Sequence, residues 1–151
     1  HPGDFKISKL AKSLNLDYNN VSNYLEVLER AGLVSFLKTK GKGHSLAKET
    51  EKAFLSNTSL YKMIANDLNQ EVEIGTIREC FVFNNLLKSG YRVNWTNKAD
   101  IIVDSKYYFE VGGKNKTLKQ IKDLENSYLI QDDINTLTSK NIPIYLIGFL
   151  Y

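Results

Sequence analysis

Hydrophobic positions in the first third of the chain recur at intervals of three and four residues, the spacing of one helix face. The first run predicts a short amphipathic helix over 8–14, and the second predicts a helix that ends near Gly32, a residue suited to the position after a helix. Asp17 or Asn20 is suited to cap the second helix. The apolar positions are Ile7, Leu10, Ala11 and Leu14 in the first run, and Val21, Tyr24, Leu25 and Leu28 in the second.

Two strand-like segments follow, and a basic, glycine-rich turn separates them. Segment 33–38 predicts a strand, 39–44 predicts the turn, and 52–56 predicts the returning strand. Two short helices followed by such a hairpin resemble a winged helix-turn-helix, which is common among bacterial DNA-binding proteins. We therefore expect a winged-helix domain over residues 1–58.

This resemblance implies a surface that binds DNA. In DNA-binding members the exposed face of the second helix enters the major groove and the wing contacts phosphates. The matching residues here are Asn19, Asn20, Ser22 and Asn23 on the helix, and Lys38, Lys40 and Lys42 at the wing. The charge pattern agrees, since residues 1–52 carry nine Lys or Arg against six acidic residues, whereas 53–151 carry eleven of each. The alternative is that these polar side chains only solvate a surface helix.

Residues 59–151 predict an alternation of helices and strands. The predicted helices cover 59–67, 77–88 and 117–126, and the predicted strands cover 91–95, 99–103, 107–111 and 142–150, with a short apolar segment at 128–130. This order favours a mixed sheet with helices packed on it. The predicted fold class is therefore α/β of the α+β kind: a winged helix-turn-helix followed by an α-β-β-β-α-β domain.

Acidic residues on these elements resemble those of the restriction-endonuclease-like fold. Active members place an Asp and a Glu-x-Lys triplet on adjacent strands, where the carboxylates hold Mg²⁺ and the lysine positions the attacking water. The triplet here reads Glu110-Val111-Gly112 and lacks the lysine. The resemblance gives Asp100 and Glu110 as candidate metal ligands, and the candidate catalytic set is Glu79, Asp100, Glu110, Lys114 and Gln120, with Lys114 as the substitute lysine.

Each of these acidic residues also has a structural interpretation. Asp100 is suited to cap a turn, Glu79 to solvate a helix, and Glu110 to pair with Lys114 or Lys116. Because the triplet has no lysine, we expect a domain that keeps the nuclease fold and binds without cutting.

The two predicted domains together resemble the C-terminal half of bacterial AAA-type ATPases, which ends in a domain of unknown function. The segments that carry this resemblance are 52–60, 75–84, 98–100, 109–116 and 142–151. It implies that an ATPase domain precedes this region in the same chain. The sequence contains no Gly-x-x-x-x-Gly-Lys-Ser/Thr motif, so we do not expect this region itself to bind ATP.

Three functions are compatible with these patterns. The leading hypothesis is a non-catalytic accessory region of an AAA-type ATPase that contacts DNA or a protein partner. The first alternative is an Mg²⁺-dependent nuclease with a relocated lysine, and only this alternative requires a cofactor. The second is a docking or dimerisation module that forms a homo-oligomer through its last strand.

Composition narrows the protein class. Of 151 residues, 42% are hydrophobic and 25% are charged, which is typical of a globular chain and not of a disordered one. A lone cysteine, Cys80, cannot form an internal disulfide and predicts a cytoplasmic protein. No apolar run reaches the roughly 18–20 residues that a bilayer span requires, so no membrane partner is expected.

Overall fold

The computed structural model describes residues 5–39 and 50–150. Contacts divide the chain into two compact units, His1–Ser56 and Asn57–Tyr151, a division close to the one the sequence predicts. Each unit combines helices with a sheet, so the predicted α+β class is confirmed. Among the described helices, none is long and apolar enough to cross a membrane.

In the first unit, residues 5–39 and 50–56 form two helices and a two-stranded antiparallel sheet. Its elements are α1 (Ile7–Leu14), α2 (Tyr18–Arg30), β1 (Val34–Lys38) and β2 (Thr50–Leu55). The carboxylate of Asp17 caps α2, because it accepts hydrogen bonds from the backbone amides of Asn19 and Asn20. A small cluster of buried side chains connects these elements: Ile7, Ala11, Val21, Leu25 and Phe36.

The apolar stripe predicted on α2 is wrong at two of its four positions. Val21 and Leu25 are buried, but Tyr24 is 59% exposed and Leu28 is 37% exposed. Successive residues of a helix are about 100° apart, so Tyr24 turns away from the direction in which its neighbour Leu25 points. The core of this small unit covers only a narrow strip of the helix.

The second unit contains a five-stranded mixed sheet with helices. Its elements are α3 (Thr58–Asp67), α4 (Ile74–Lys88), β3 (Val93–Asn94), β4 (Ile101–Val103), β5 (Tyr107–Gly112), a 3₁₀ turn (Leu118–Gln120), β6 (Ser127–Gln131), β7 (Asn141–Pro143) and a 3₁₀ helix (Ile144–Phe149). The strand order is β3-β4-β5-β6-β7. The first two pairings are antiparallel, and β5 with β6 and β6 with β7 are parallel.

The register of β5 and β6 decides which side chains share a face of this sheet. Glu110 lies opposite Leu129, and Gly112 lies opposite Gln131. Because side chains alternate between the two faces of a strand, Glu110, Gly112 and Gln131 belong to the same face. The carboxyl ends of both strands also lie side by side, since the strands are parallel.

The helix predicted over 117–126 is wrong. Only Leu118–Gln120 is helical, as one 3₁₀ turn, and turns continue to β6. The amides of Ile121 and Leu124 donate to carbonyls three residues earlier, at Leu118 and Ile121. A spacing of three between the apolar residues of this segment matches that 3₁₀ hydrogen bonding, and Ile121 is nevertheless fully buried.

The long final strand predicted over 142–150 is also wrong. The strand ends at Pro143, and the next residues form the 3₁₀ helix Ile144–Phe149, which contacts α4. Proline has no N–H to donate to a ladder, so the strand loses a hydrogen bond at that point. Gly148 then approaches the ring of Phe81 closely enough that a Cβ atom there would lie 3.2 Å from Cζ.

Candidate active site

Glu110 lies inside the second unit with one cationic partner. Its side chain is 1% exposed, and its Oε1 atom lies 2.6 Å from the Nζ atom of Lys116. The other carboxylate oxygen, Oε2, is buried without a hydrogen-bond partner. A buried acceptor without a donor is costly, so this atom is the place in the site where a ligand has most to gain.

Burial raises the pKa of the Glu110 carboxyl above its ordinary value of 4.5, because the charged form is poorly solvated. The hydrogen bond from Lys116 acts in the opposite direction, and the negative charge of Asp100 adds to the increase. The charge of Asp100 thus acts on the buried Glu110 carboxyl, and Lys116 is its cationic partner.

Lys116 experiences the combined charge of the site. Burial would lower its pKa, but the hydrogen bond and the charge of Glu110 outweigh that effect, so its pKa is raised above 10.5. The charges of Asp100 and Glu79 increase it further. Glu79, Asp100, Glu110 and Lys116 thus form one electrostatic group, which we call the carboxylate–lysine cluster.

Asp100 is held in this cluster by the backbone. It immediately precedes β4, and its Oδ2 atom accepts a hydrogen bond of 2.8 Å from the amide of Val111 on β5. The contact fixes the Asp100 carboxylate beside the strand that carries Glu110. The two acidic residues that the sequence singles out on adjacent strands are therefore brought together.

Lys116 reaches the site by folding back over Gly112. A Cβ atom on Gly112 would lie 2.6 Å from Cβ and 2.7 Å from Cγ of Lys116, far closer than non-bonded carbons approach. The aliphatic stem of Lys116 therefore occupies the space that a side chain at position 112 would need. Only glycine at position 112 leaves this path open.

The sequence-predicted helper residues lie elsewhere. Lys114 and Gln120 are exposed, and neither is among the groups that shift the pKa of Glu110 or Lys116. The sequence indicated Lys116 only as a structural partner of Glu110. It did not identify Arg78 or Gln131, which contact the loop 113–116 between Gly112 and Lys116. The signal available was the pair of glycines before Lys114, which permits a tight return of the chain.

In the first unit the predicted DNA-contacting residues have different surroundings. Asn19, Asn20 and Asn23 are exposed at the start of α2, and Ser22 is half-buried. The ammonium of Lys38 lies 3.2 Å from a carboxylate oxygen of Glu29, so an acidic side chain already shares its charge. The predicted phosphate contacts Lys40 and Lys42 lie outside the described residues.

The donor chemistry of the cluster fits a hard divalent cation. Within residues 5–39 and 50–150 no three His, Cys, Asp or Glu side chains come together as a metal-binding group. Mg²⁺ characteristically takes only one or two protein carboxylates and keeps several waters. Asp100 and Glu110 would supply those two carboxylates, and the Oε2 atom of Glu110 has no hydrogen-bond partner among the described residues.

A cavity of about 370 Å³ lies away from this cluster. Its lining includes Val103, Tyr107 and Tyr128, at the end of the sheet where β5 begins. Tyr107 and Glu110 are an odd number of residues apart, so they face opposite sides of β5. The candidate site is therefore defined by charge and hydrogen bonding, and not by this cavity.

No family model, curated protein or solved structure matches the chain. The arrangement of the residues themselves therefore carries the functional argument.

Proposed function

We propose that the second unit is a metal-dependent nuclease of the restriction-endonuclease-like type, in which Lys116 supplies the lysine of the active site. The observation that carries the proposal is the contact of 2.6 Å between Lys116 and the buried carboxylate of Glu110, beside Asp100. It combines two carboxylates and a lysine, the residue types that this chemistry requires.

The topology of the sheet supports this proposal. Helix α4 precedes three antiparallel strands, β3 to β5, and β6 then runs parallel to β5. This is the strand order of the α-β-β-β-α-β arrangement, except that a 3₁₀ turn takes the place of the second helix. The restriction-endonuclease-like fold of the second unit is proposed together with its function.

Each residue of the cluster has a distinct role in the proposed reaction. Asp100 and Glu110 would hold Mg²⁺, which would supply a more acidic water molecule and polarisation of the phosphate. Lys116 keeps its proton, because the surrounding carboxylates raise its pKa, and its ammonium orients the water and offsets charge on the phosphate. Glu79 adds negative charge that helps to retain both cations.

Glycine at position 112 favoured a non-catalytic domain in the sequence analysis. The path of Lys116 supports catalysis in spite of this glycine, because its side chain returns across Gly112 and ends on Glu110. The relocated lysine of this proposal is Lys116 and not Lys114, whose side chain is exposed.

The first unit would deliver the nucleic acid. As a winged helix it would present the exposed amides of Asn19, Asn20 and Asn23 to the major groove. Under this proposal both units act in one larger ATPase of the AAA type, whose motor domain precedes them.

The test is cleavage of duplex, single-stranded and branched DNA with Mg²⁺ or Mn²⁺, and with EDTA as the metal-free control. We expect metal-dependent cleavage that Glu110→Gln and Lys116→Met each reduce by about 10²-fold or more, whereas Lys114→Met leaves it unchanged. Cleavage that survives both substitutions would contradict the proposal. Salt-sensitive DNA binding without any cleavage would instead support the non-catalytic accessory role.

A second candidate function is self-association through the last segment. Phe149 is 68% exposed and Tyr145 is 46% exposed on the 3₁₀ helix, so two aromatic rings face outward. A second copy of the chain would cover them in a homodimer. Light scattering should report a dimer that Phe149→Asp dissociates, and a monomer at high concentration would exclude this candidate.

A further inference from the structure

We infer that Gln131 is a positioning residue that fixes the loop 113–116 and thereby places the ammonium of Lys116 on Glu110. This inference rests on the proposed function, because it assigns how the relocated lysine of that site is held. Gln131 ends β6, lies opposite Gly112 in the parallel pairing, and is 3% exposed.

The side-chain amide of Gln131 contacts three carbonyls of one loop. Its Nε2 atom lies 3.3 Å from the carbonyl oxygen of Gly113, 3.1 Å from that of Lys114 and 3.1 Å from that of Lys116. All three partners are acceptors, so the orientation of the amide is determined by its surroundings. The amide has two hydrogens for three carbonyls, and at least one hydrogen is therefore shared.

Besides the contacts of Gln131, one backbone hydrogen bond is described within the loop itself. Its carbonyls turn inward toward β6, and the described internal backbone bond runs from the amide of Lys116 to the carbonyl of Gly113, at 2.9 Å. Without Gln131 the carbonyls of Lys114 and Lys116 would lose the donor described for them, whereas the Gly113 carbonyl would keep the amide of Lys116. The loop would then relax, and with it the stem of Lys116, which has to pass over Gly112 to reach Glu110.

Arg78 supports the same loop from helix α4. Its guanidinium lies against Gly113, where a Cβ atom would be 3.2 Å from Nη1. It is anchored by Asp132 at 3.0 Å and Asp133 at 3.5 Å, the two residues that follow Gln131. The end of β6 thus holds the loop directly through Gln131 and indirectly through Arg78.

This arrangement predicts an effect on turnover rather than on binding. The hydrogen bonds described for Gln131 all run to backbone carbonyls of the loop, so its loss should displace the ammonium without removing a ligand of the metal or of DNA. Misplacement of a catalytic group by about 1 Å costs about 10²-fold in rate. We therefore expect Gln131→Met to lower kcat by about that factor and to leave KM for DNA unchanged.

The experiment compares Gln131→Met with Gln70→Met, a matched control at an exposed glutamine after helix α3. The distinguishing measurement is a double-mutant cycle with Lys116→Met. If Gln131 acts through Lys116, Gln131→Met has no further effect on the rate once Lys116 is replaced. Independent losses that multiply would assign Gln131 a general structural role and overturn the inference. If Gln131→Met does not fold, Arg78→Met replaces it in the same cycle.

A second readout does not depend on cleavage. Lysines are labelled by reductive ¹³C-methylation, and the Lys116 resonance is assigned from Lys116→Arg. We expect Gln131→Met to move this resonance to the position of the exposed lysines, while Gln70→Met leaves it in place. If the wild-type protein does not cleave DNA but the resonance moves, the proposed function fails and the positioning role stands. If the resonance and kcat are both unchanged in Gln131→Met, the positioning role is wrong.

Discussion

The side chain of Lys116 occupies the space that a side chain on Gly112 would need: a Cβ atom on Gly112 would lie 2.6 Å from Cβ and 3.0 Å from Cδ of Lys116. The residue that interrupts the Glu-x-Lys pattern is therefore the residue that admits a lysine from four positions farther along the chain. The lack of a lysine at position 112 and the presence of the Lys116 side chain beside Glu110 thus have one cause, which is the packing of the Lys116 stem against Gly112.

Gly112→Ala should destabilise the second unit and displace Lys116. The methyl group would overlap atoms near the backbone of the loop, which cannot move without the loop, and we expect a loss of about 1–3 kcal/mol in the free energy of unfolding. Urea denaturation measures this loss. Gly75→Ala is the control, because nothing lies within 4 Å of a Cβ there. Within helix α4 that change should stabilise by about 0.5 kcal/mol. Equal stability of the two variants would contradict the packing of the Lys116 stem against Gly112.

Lys116→Met should destabilise the protein by about 3 kcal/mol at neutral pH, the lower end of the range for a broken buried ion pair, because Lys116 is partly exposed. The physical cause is the Glu110 carboxylate, which would stay buried without a cation. Chemical denaturation of the variant and of Lys114→Met, whose side chain is exposed, gives the comparison.

The loss of stability caused by Lys116→Met should increase as the pH rises. Burial already raises the pKa of Glu110 above 4.5, and loss of the Lys116 hydrogen bond raises it further. An acid whose folded-state pKa is raised binds its proton more tightly in the folded state, so stability falls as the pH increases from the unfolded value through the folded one. The difference between variant and wild type should therefore be smaller near pH 4 than at pH 7. A deficit that shrinks as the pH rises over this range would contradict the assignment.

Cys80 should resist thiol reagents in the folded protein. Its side chain is 0% exposed, and burial raises the pKa of the thiol to about 11, so almost no thiolate forms at pH 8. Because Cys80 is the one cysteine of the sequence, labelling with a chromogenic disulfide reports on this residue alone. We expect slow labelling without denaturant and rapid labelling in urea. Rapid labelling of the folded protein would show that α4 is not packed as described.

The free energy of unfolding should fall at high pH, because burial disfavours the charged form of the Cys80 thiol. The folded-state pKa of Cys80 exceeds its ordinary value of 9.0, so its contribution is complete below pH 9 and is lost as the pH rises through about 11. Cys80→Ala, which has no titrating group, should lack this part of the decrease.

Ile121→Ala should cost about 2–5 kcal/mol although no helix holds this residue. Ile121 is 0% exposed in the turns that connect β5 to β6, so its removal leaves a cavity. Leu137→Ala, at a position that is 61% exposed, should change stability by less than about 0.5 kcal/mol. Thermal unfolding of both variants measures these changes in stability. A small loss for Ile121→Ala would mean that the turns between β5 and β6 do not bury this residue.

The sequence was informative where structure depends on near neighbours. Helical spacing of apolar residues locates α1 and α2, and strand-like runs locate β4 and β5. Asp100 and Glu110 were predicted to lie on neighbouring strands, and a hairpin with short turns brings such residues together through local geometry alone.

The tertiary structure decided what depends on distant contacts. The apolar residues of 117–126 are three apart, a spacing that suits either an α-helix or a 3₁₀ turn, and the hydrogen bonds that form are of the 3₁₀ kind. The sequence left Lys114 and Lys116 open as partners of Glu110, and the fold selects Lys116. Lys116 contacts Glu110 only because Gly112 leaves room for its stem and Gln131, on another strand, holds its loop. The spacing of residues along the chain predicts which face of a helix or strand each one occupies. Whether a side chain such as that of Lys116 can cross a strand to contact another residue depends on the tertiary packing around it.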